Sequence, residues 1–129
     1  MPQYRTLAAA LALLGGLALV QPARAQDAAA GQRVFNQCRA CHTIEQGGRN
    51  GVGPNLHGIV GRKAASVEGF RYSNAMKAKG EQDWVWTEDN LRPYLHNPRE
   101  VVPGTNMSFP GLRNDQQIND LIAYLKSQS

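Results

Sequence analysis

The chain has 129 residues and a formal net charge of +4, a length that suits one domain. The basic excess is mild and no segment is densely basic, which argues against nucleic acid as a partner. Its 13 glycines and 7 prolines indicate that loops make up much of the chain.

The first 25 residues have the three parts of a secretory signal peptide. A short segment with one basic residue precedes an apolar run at 7–20, and a small-x-small cleavage sequence follows at 23–25. A membrane anchor is the alternative, but the run is shorter than the roughly 20 residues that a spanning helix needs. We expect cleavage after about Ala25, which removes two arginines and leaves 26–129 as one domain with a net charge of +2.

A first helix is predicted after Asp27, whose carboxylate can accept hydrogen bonds from the free backbone N–H groups of a helix start. The helical spacing of the residues that follow predicts that this helix continues through Cys38. The segment at 46–61 is rich in Gly, Pro and Asn and is predicted to be loop. The residues that share one face of the predicted helix are Gly31, Val34, Phe35 and Cys38.

Two shorter helices are predicted in the middle of the chain. Ser73 can cap a helix over 74–79, which we expect to stop at Gly80. Thr87 can cap the next helix, which must end before the Asn-Pro pair at 97–98.

Pro93 lies inside this second helix, and we expect it to kink or shorten the helix because its ring displaces a carbonyl one turn back. Residues 102–111, with prolines at 103 and 110, are predicted to be loop.

The last helix has the clearest pattern. Asn114 can cap it, and Gln117 stands three residues further on in a capping-box arrangement. No segment alternates convincingly as a strand, so the predicted fold class is all-α, with long loops around a bound group. The apolar stripe of this helix comprises Ile118, Leu121, Ile122 and Leu125.

The sequence CRACH at 38–42 is Cys-x-x-Cys-His, the haem-attachment motif of c-type cytochromes. Residues three and four apart lie on one helix face. The thiols of Cys38 and Cys41 can therefore both add to vinyl groups on one edge of a porphyrin, while His42 places an imidazole nitrogen on the iron. One covalently bound haem c is the predicted cofactor.

Three other interpretations of this motif compete with haem. A thioredoxin-like pair would need a βαβ context, which the chain lacks. A structural zinc site would need four ligands, drawing on the distant His57 or His96 in a spacing that matches no common pattern. A surface disulfide between Cys38 and Cys41 would close only a tiny loop and add little constraint.

With these residues the chain resembles the class I cytochromes c of the mitochondrial and α-proteobacterial type, over essentially all of 26–129. The resemblance implies a small globular fold in which the N- and C-terminal helices cross and shorter helices and long loops wrap one haem. It places the crossing at Gly31, Phe35, Leu121 and Tyr124. The matching stretches are GQRVFNQCRACHTIE (31–45), GPNLHGIVGR (53–62), GFRYSNA (69–75), NPREVVPGTNMSFPG (97–111) and DLIAYLK (120–126).

The resemblance also implies the iron ligands, with His42 and Met107 as the axial pair. Met107 follows Pro-Gly-Thr in a loop, off any helical stripe, and His/Met ligation raises the reduction potential. The rival sixth ligands are Met76, His57 and His96. In the family, a backbone carbonyl at the position of Pro54 accepts the other N–H of the proximal histidine.

Further haem-binding residues are implied by position in the family. Tyr72, Trp86 and Ser73 match donors to a propionate, and Arg62 matches a buried arginine that offsets its charge. Each aromatic residue could instead belong to the core, as we expect for Trp84. The residues that match positions near the axial methionine or the exposed haem edge are Tyr94, Thr105 and Phe109.

The resemblance implies a soluble periplasmic electron carrier, not an enzyme, because two protein ligands leave the iron no open position. A five-coordinate enzyme or ligand sensor is the alternative, and it requires that Met107 does not ligate. The implied partners are redox proteins: a quinol-oxidising cytochrome complex as donor, and an oxidase, reductase or photosynthetic reaction centre as acceptor. We expect a monomer without a membrane span after cleavage.

Two departures from the family pattern matter. Met76 stands where mitochondrial members carry Asn, so we expect a drier pocket. Of five positions that are often Lys, only two are basic here, so steering toward an acidic partner should be weaker. Those five positions hold Gln37, Arg99, Glu100, Asn106 and Arg113.

Overall fold

The computed structural model describes residues 26–129, so the predicted signal peptide lies outside the described residues. Within this range the only extended pairing is one isolated bridge between Lys63 and Val85. The prediction of an all-α fold is therefore confirmed. The helices are α1 (Ala28–Phe35), α2 (Asn74–Glu81), α3 (Glu88–His96), α4 (Pro98–Val101) and α5 (Asp115–Ser127).

Helices α1 and α5 cross and bury each other's apolar faces, as predicted. Gly31 lies at the crossing, where a Cβ atom would overlap the backbone carbonyl of Asp120 and stand 2.8 Å from Tyr124 Cβ. The rings of Phe35 and Tyr124 pack with their centroids 5.4 Å apart. Asp120 is buried there and accepts a hydrogen bond from the backbone N–H of Asp27 at 3.0 Å. The first and last helices of the described chain are thus joined by packing and by a hydrogen bond.

The four predicted helix caps are confirmed. In each case the side chain accepts a hydrogen bond from the backbone N–H three residues on, which contributes about 1 kcal/mol per helix. The capping residues are Asp27, Ser73, Thr87 and Asn114.

The predicted ends of the first two helices are wrong. Helix α1 ends at Phe35, and 36–41 form turns, so Cys38 is not helical. Helix α2 continues through Gly80 to Glu81. Gly80 is buried against the Ala64 carbonyl oxygen, which an added Cβ would approach to 2.7 Å, so this glycine permits close packing instead of ending the helix.

Pro93 does not shorten α3, which runs on to His96. The hydrogen bond that Pro93 cannot donate would go to the carbonyl of Asp89, an exposed residue of the first turn where water can take its place. The sequence analysis also missed the short helix α4. It begins with Pro98 and is capped by Asn97, whose side chain accepts from Glu100 N at 3.4 Å.

No helix within 26–129 combines the length and the apolar character that crossing a membrane requires.

Candidate functional site

The Cys-x-x-Cys-His segment follows α1 directly and is held by turn hydrogen bonds. The N–H of Cys38 donates to the carbonyl of the fully buried Phe35 at 2.8 Å. The N–H groups of Cys41 and His42 then both donate to the carbonyl of Cys38, at 3.1 and 2.9 Å. The two cysteines and the histidine are therefore joined by backbone hydrogen bonds between residues three and four apart, as in one turn of a helix, although the segment lies outside α1.

Both thiols in this turn are free and half-buried. Burial, and secondarily the neighbouring Cys41, raises the pKa of Cys38 to about 11. Cys38 is therefore a neutral thiol at ordinary pH.

The imidazole of His42 is held in one tautomer. Its Nδ1 lies 2.8 Å from the backbone carbonyl oxygen of Pro54. Because a carbonyl oxygen only accepts, Nδ1 must carry the proton, and Nε2 of the neutral ring keeps its lone pair. Burial lowers the pKa of His42, and the Pro54 hydrogen bond offsets this only in part. The ring is thus prepared as a neutral metal ligand through Nε2.

Gly53 lies directly against this imidazole, and the sequence analysis missed it. A Cβ atom at Gly53 would stand 2.7 Å from Nδ1 and 2.8 Å from Nε2 of His42. The buried glycine therefore forms a cradle that any side chain would fill. In a sequence, a glycine before a proline signals only a turn, so the contact with His42 becomes visible only in the folded chain.

A second group of predicted residues gathers around Met107. The hydroxyl of Tyr94 donates to Met107 Sδ at 3.2 Å, and Thr105 Oγ1 accepts from Met107 N at 3.1 Å. Burial raises the pKa of Tyr94 to about 12, which the nearby Thr105 side chain offsets only in part. Tyr94 is therefore a neutral, fixed donor to the thioether sulfur.

Two tryptophan rings pack in succession from Tyr94. The Trp86 ring packs against Tyr94 at 4.7 Å between centroids, and Trp84 packs against Trp86 at 5.5 Å. The ammonium of Lys79 lies 4.0 Å from the centre of the Trp84 ring. Trp84 packs against the core, as expected, yet its buried indole N–H has no hydrogen-bond partner in residues 26–129.

The residues predicted to face the propionates lie near one another. The backbone N–H of Trp86 donates to the Arg62 carbonyl at 2.8 Å. The hydroxyl oxygens of Tyr72 and Ser73 accept from Val67 N and Met76 N, which leaves each hydroxyl proton free to donate. Burial raises the pKa of Tyr72, and burial lowers the pKa of Arg62.

The Arg62 guanidinium makes contacts that the sequence analysis did not foresee. It donates to the carbonyl of His57 at 2.9 Å and to that of Asn55 at 3.1 Å.

The rival iron ligands lie in different surroundings. His57 uses Nδ1 to contact the Ile44 carbonyl at 3.2 Å, His96 is exposed at the end of α3, and Met76 is half-buried. Phe109 is also half-buried and packs against the core.

The donor set fits a covalently bound haem. Two free thiols three residues apart, a neutral imidazole with Nε2 available and a glycine cradle against that ring are the features that attachment and iron coordination require. The sequence model of the cytochrome c family matches residues 28–129. The chain belongs to the cytochrome c family.

Individual relatives agree with this assignment. Cytochrome c2 of Blastochloris viridis is 49% identical over 109 residues, which cover 84% of each chain. Cytochrome c of Stellaria longipes is 47% identical over 104 residues, covering 80% of this chain and 94% of the relative. Among solved structures, cytochrome cH from Methylobacterium extorquens superposes with a TM-score of 0.71 at 43% identity, covering 78% of this chain and 98% of that one.

The family assignment establishes the cofactor and the class of activity. The protein carries haem c, attached covalently through Cys38 and Cys41, and it is an electron-transfer protein, not an enzyme.

Proposed function

We propose that His42 and Met107 are the two axial ligands of the haem iron and that the protein is a periplasmic single-electron carrier. The observation that carries the ligand assignment is the hydrogen bond from Tyr94 to Met107 Sδ. A methionine that only fills a gap in a core has no need of a fixed hydroxyl donor on its sulfur. A thioether that accepts this bond with one lone pair keeps the other for the iron.

The bound haem supplies the one-electron couple of its iron, and the chain sets the conditions for it. His42 is held by Pro54, and Met107 is held by Tyr94 and Thr105. Ligands fixed in this way move little when the iron changes charge, which favours rapid electron transfer. The soft thioether favours the ferrous state and raises the reduction potential.

The polar residues near Trp86 complete the proposed site. Tyr72 and Ser73 have hydroxyl protons available for a propionate, since buried charge must be hydrogen-bonded or paired, and the indole N–H of Trp86 is proposed to join them as a third donor. Arg62 places a guanidinium close to Tyr72 and offsets the negative charge. Phe109 is proposed to lie at the exposed haem edge, where partners dock.

The cellular setting is also part of the proposal. We propose that 1–25 is a signal peptide cleaved after about Ala25, and that 26–129 is the periplasmic cytochrome domain. A quinol-oxidising cytochrome complex would be the donor, and an oxidase, reductase or photosynthetic reaction centre the acceptor. The weakly basic docking positions predict rates that change little with ionic strength.

Carbon monoxide tests the ligand assignment, because it binds ferrous haem only at an open position. We expect the ferrous wild type to be unreactive, and Met107→Ala to bind carbon monoxide. Met76→Leu is the matched control, since it alters the rival methionine, and it should remain unreactive. A Met107→Ala protein that ignores carbon monoxide, or a Met76→Leu protein that binds it, would overturn the assignment.

A further inference from the structure

Asn55 follows Pro54, and its side chain ties three parts of one loop together. Its Nδ2 group donates to Thr43 Oγ1 at 2.8 Å and to the Glu45 carbonyl at 2.9 Å. Its Oδ1 accepts from the backbone N–H of His57 at 3.1 Å. The side chain therefore bonds to both sides of the loop that carries Pro54.

The backbone of Asn55 is held as well. Its N–H donates to Asn50 Oδ1 at 2.8 Å, and its carbonyl accepts from Arg62 at 3.1 Å. Asn50 in turn donates through Nδ2 to the Glu68 carbonyl at 3.4 Å. All of the hydrogen-bonding groups of Asn55, in the side chain and the backbone, are thus engaged.

The bond from Asn55 N–H to Asn50 bears directly on His42. The carbonyl of Pro54 and the N–H of Asn55 belong to one planar peptide group, so the orientation of one fixes the other. This peptide accepts from His42 Nδ1 at one edge and donates to Asn50 Oδ1 at the other. Hydrogen bonds joined through a peptide polarise one another, which strengthens each of them.

We propose that Asn50 and Asn55 are positioning residues for the His42 imidazole. They hold the Pro54–Asn55 peptide in the orientation in which the Pro54 carbonyl accepts the hydrogen bond from His42 Nδ1, and they thereby make Nε2 a better electron donor to iron. This role rests on the proposed ligation of iron by His42. A hydrogen bond from the non-ligating nitrogen of a metal-bound histidine fixes the orientation and the basicity of its ring. Here Asn50 and Asn55 hold the carbonyl group that accepts this bond.

The experiment measures the His42 Nδ1 proton in the matured haem protein by NMR, where a ferric iron shifts it away from other signals. In Asn55→Ala we expect this proton to exchange with solvent about tenfold faster, the change equivalent to losing one ordinary hydrogen bond. The reduction potential should rise, because a less basic imidazole stabilises ferric iron less. Asn50 is exposed, so water can take the place of its side chain. Asn50→Ala should therefore give smaller changes in the same directions.

Asn90→Ala is the matched control. Asn90 also donates through Nδ2 to a backbone carbonyl, that of Val85 at 2.7 Å, but it does so in α3. It should lower the unfolding free energy without altering the Nδ1 exchange rate or the potential.

The outcomes separate this inference from the ligand assignment. If Asn55→Ala and Asn50→Ala lower only the unfolding free energy, as Asn90→Ala does, the two residues stabilise the loop without acting on His42, and the inference is wrong. If the wild type itself shows no iron-shifted Nδ1 proton from His42, the proposed ligation fails and the inference falls with it.

Discussion

Replacing Tyr94 with Phe should lower the reduction potential. The substitution removes the hydroxyl that donates to Met107 Sδ at 3.2 Å and keeps the ring that packs on Trp86 at 4.7 Å. A hydroxyl donor withdraws electron density from the sulfur, which weakens its donation to ferric iron more than to ferrous iron. Without that donor the ferric state gains stability.

The size of the shift follows from the energy of one hydrogen bond. A neutral hydrogen bond contributes roughly 0.5–1.5 kcal/mol, and a one-electron couple moves about 59 mV for each tenfold change in its equilibrium constant. Because Met107 accepts the bond in both oxidation states, only part of its energy distinguishes them. We therefore expect a fall of about 10–30 mV.

The assay is a spectroscopic redox titration of Tyr94→Phe beside the wild type. Tyr124→Phe is the control, because Tyr124 is a buried tyrosine that packs at the crossing of α1 and α5, away from the Met107 cluster. Its potential should match that of the wild type. A potential that rises in Tyr94→Phe, or that falls equally in both variants, would refute the reasoning.

Three further predictions follow from the packing and the pKa shifts. Gly31→Ala should lower the unfolding free energy by about 1–3 kcal/mol in a denaturant titration, because its Cβ overlaps the Asp120 carbonyl. Gly53→Ala should displace the His42 ring and weaken the low-spin absorption spectrum. Gly47→Ala is the control: its φ of 72° makes the substitution costly in stability, but its Cβ meets no atom, so the spectrum should be unchanged. Between pH 10 and about 12, unfolded but not folded Tyr94 ionises, so stability falls as pH rises; Tyr94→Phe should lose less stability over this interval than the wild type does.

The parts of the fold that the sequence predicted depend on local chemistry. An N-cap needs only its own side chain and the next three backbone N–H groups, so all four caps could be read directly. Helix ends depend on tertiary neighbours instead. Gly80 looked like a helix stop, but the Ala64 backbone packs against it and makes glycine necessary inside α2.

The residues of the site also differ in how far the sequence predicts them. The attachment cysteines and His42 lie within five consecutive residues, so their chemistry is visible in the sequence. The groups that hold His42 come from a loop whose closure the sequence does not reveal. Neither the cradle at Gly53 nor the peptide orientation set by Asn50 and Asn55 has a signature beyond turn-forming residues.

The absorption spectrum of the matured wild-type protein tests the central claim most directly. It should be recorded oxidised and reduced, and again after carbon monoxide is added to the ferrous form. Ligation by His42 and Met107 predicts a low-spin c-type spectrum with a ferric sulfur-to-iron charge-transfer band and no response to carbon monoxide. A high-spin spectrum that shifts with carbon monoxide would show an open iron position and contradict the account.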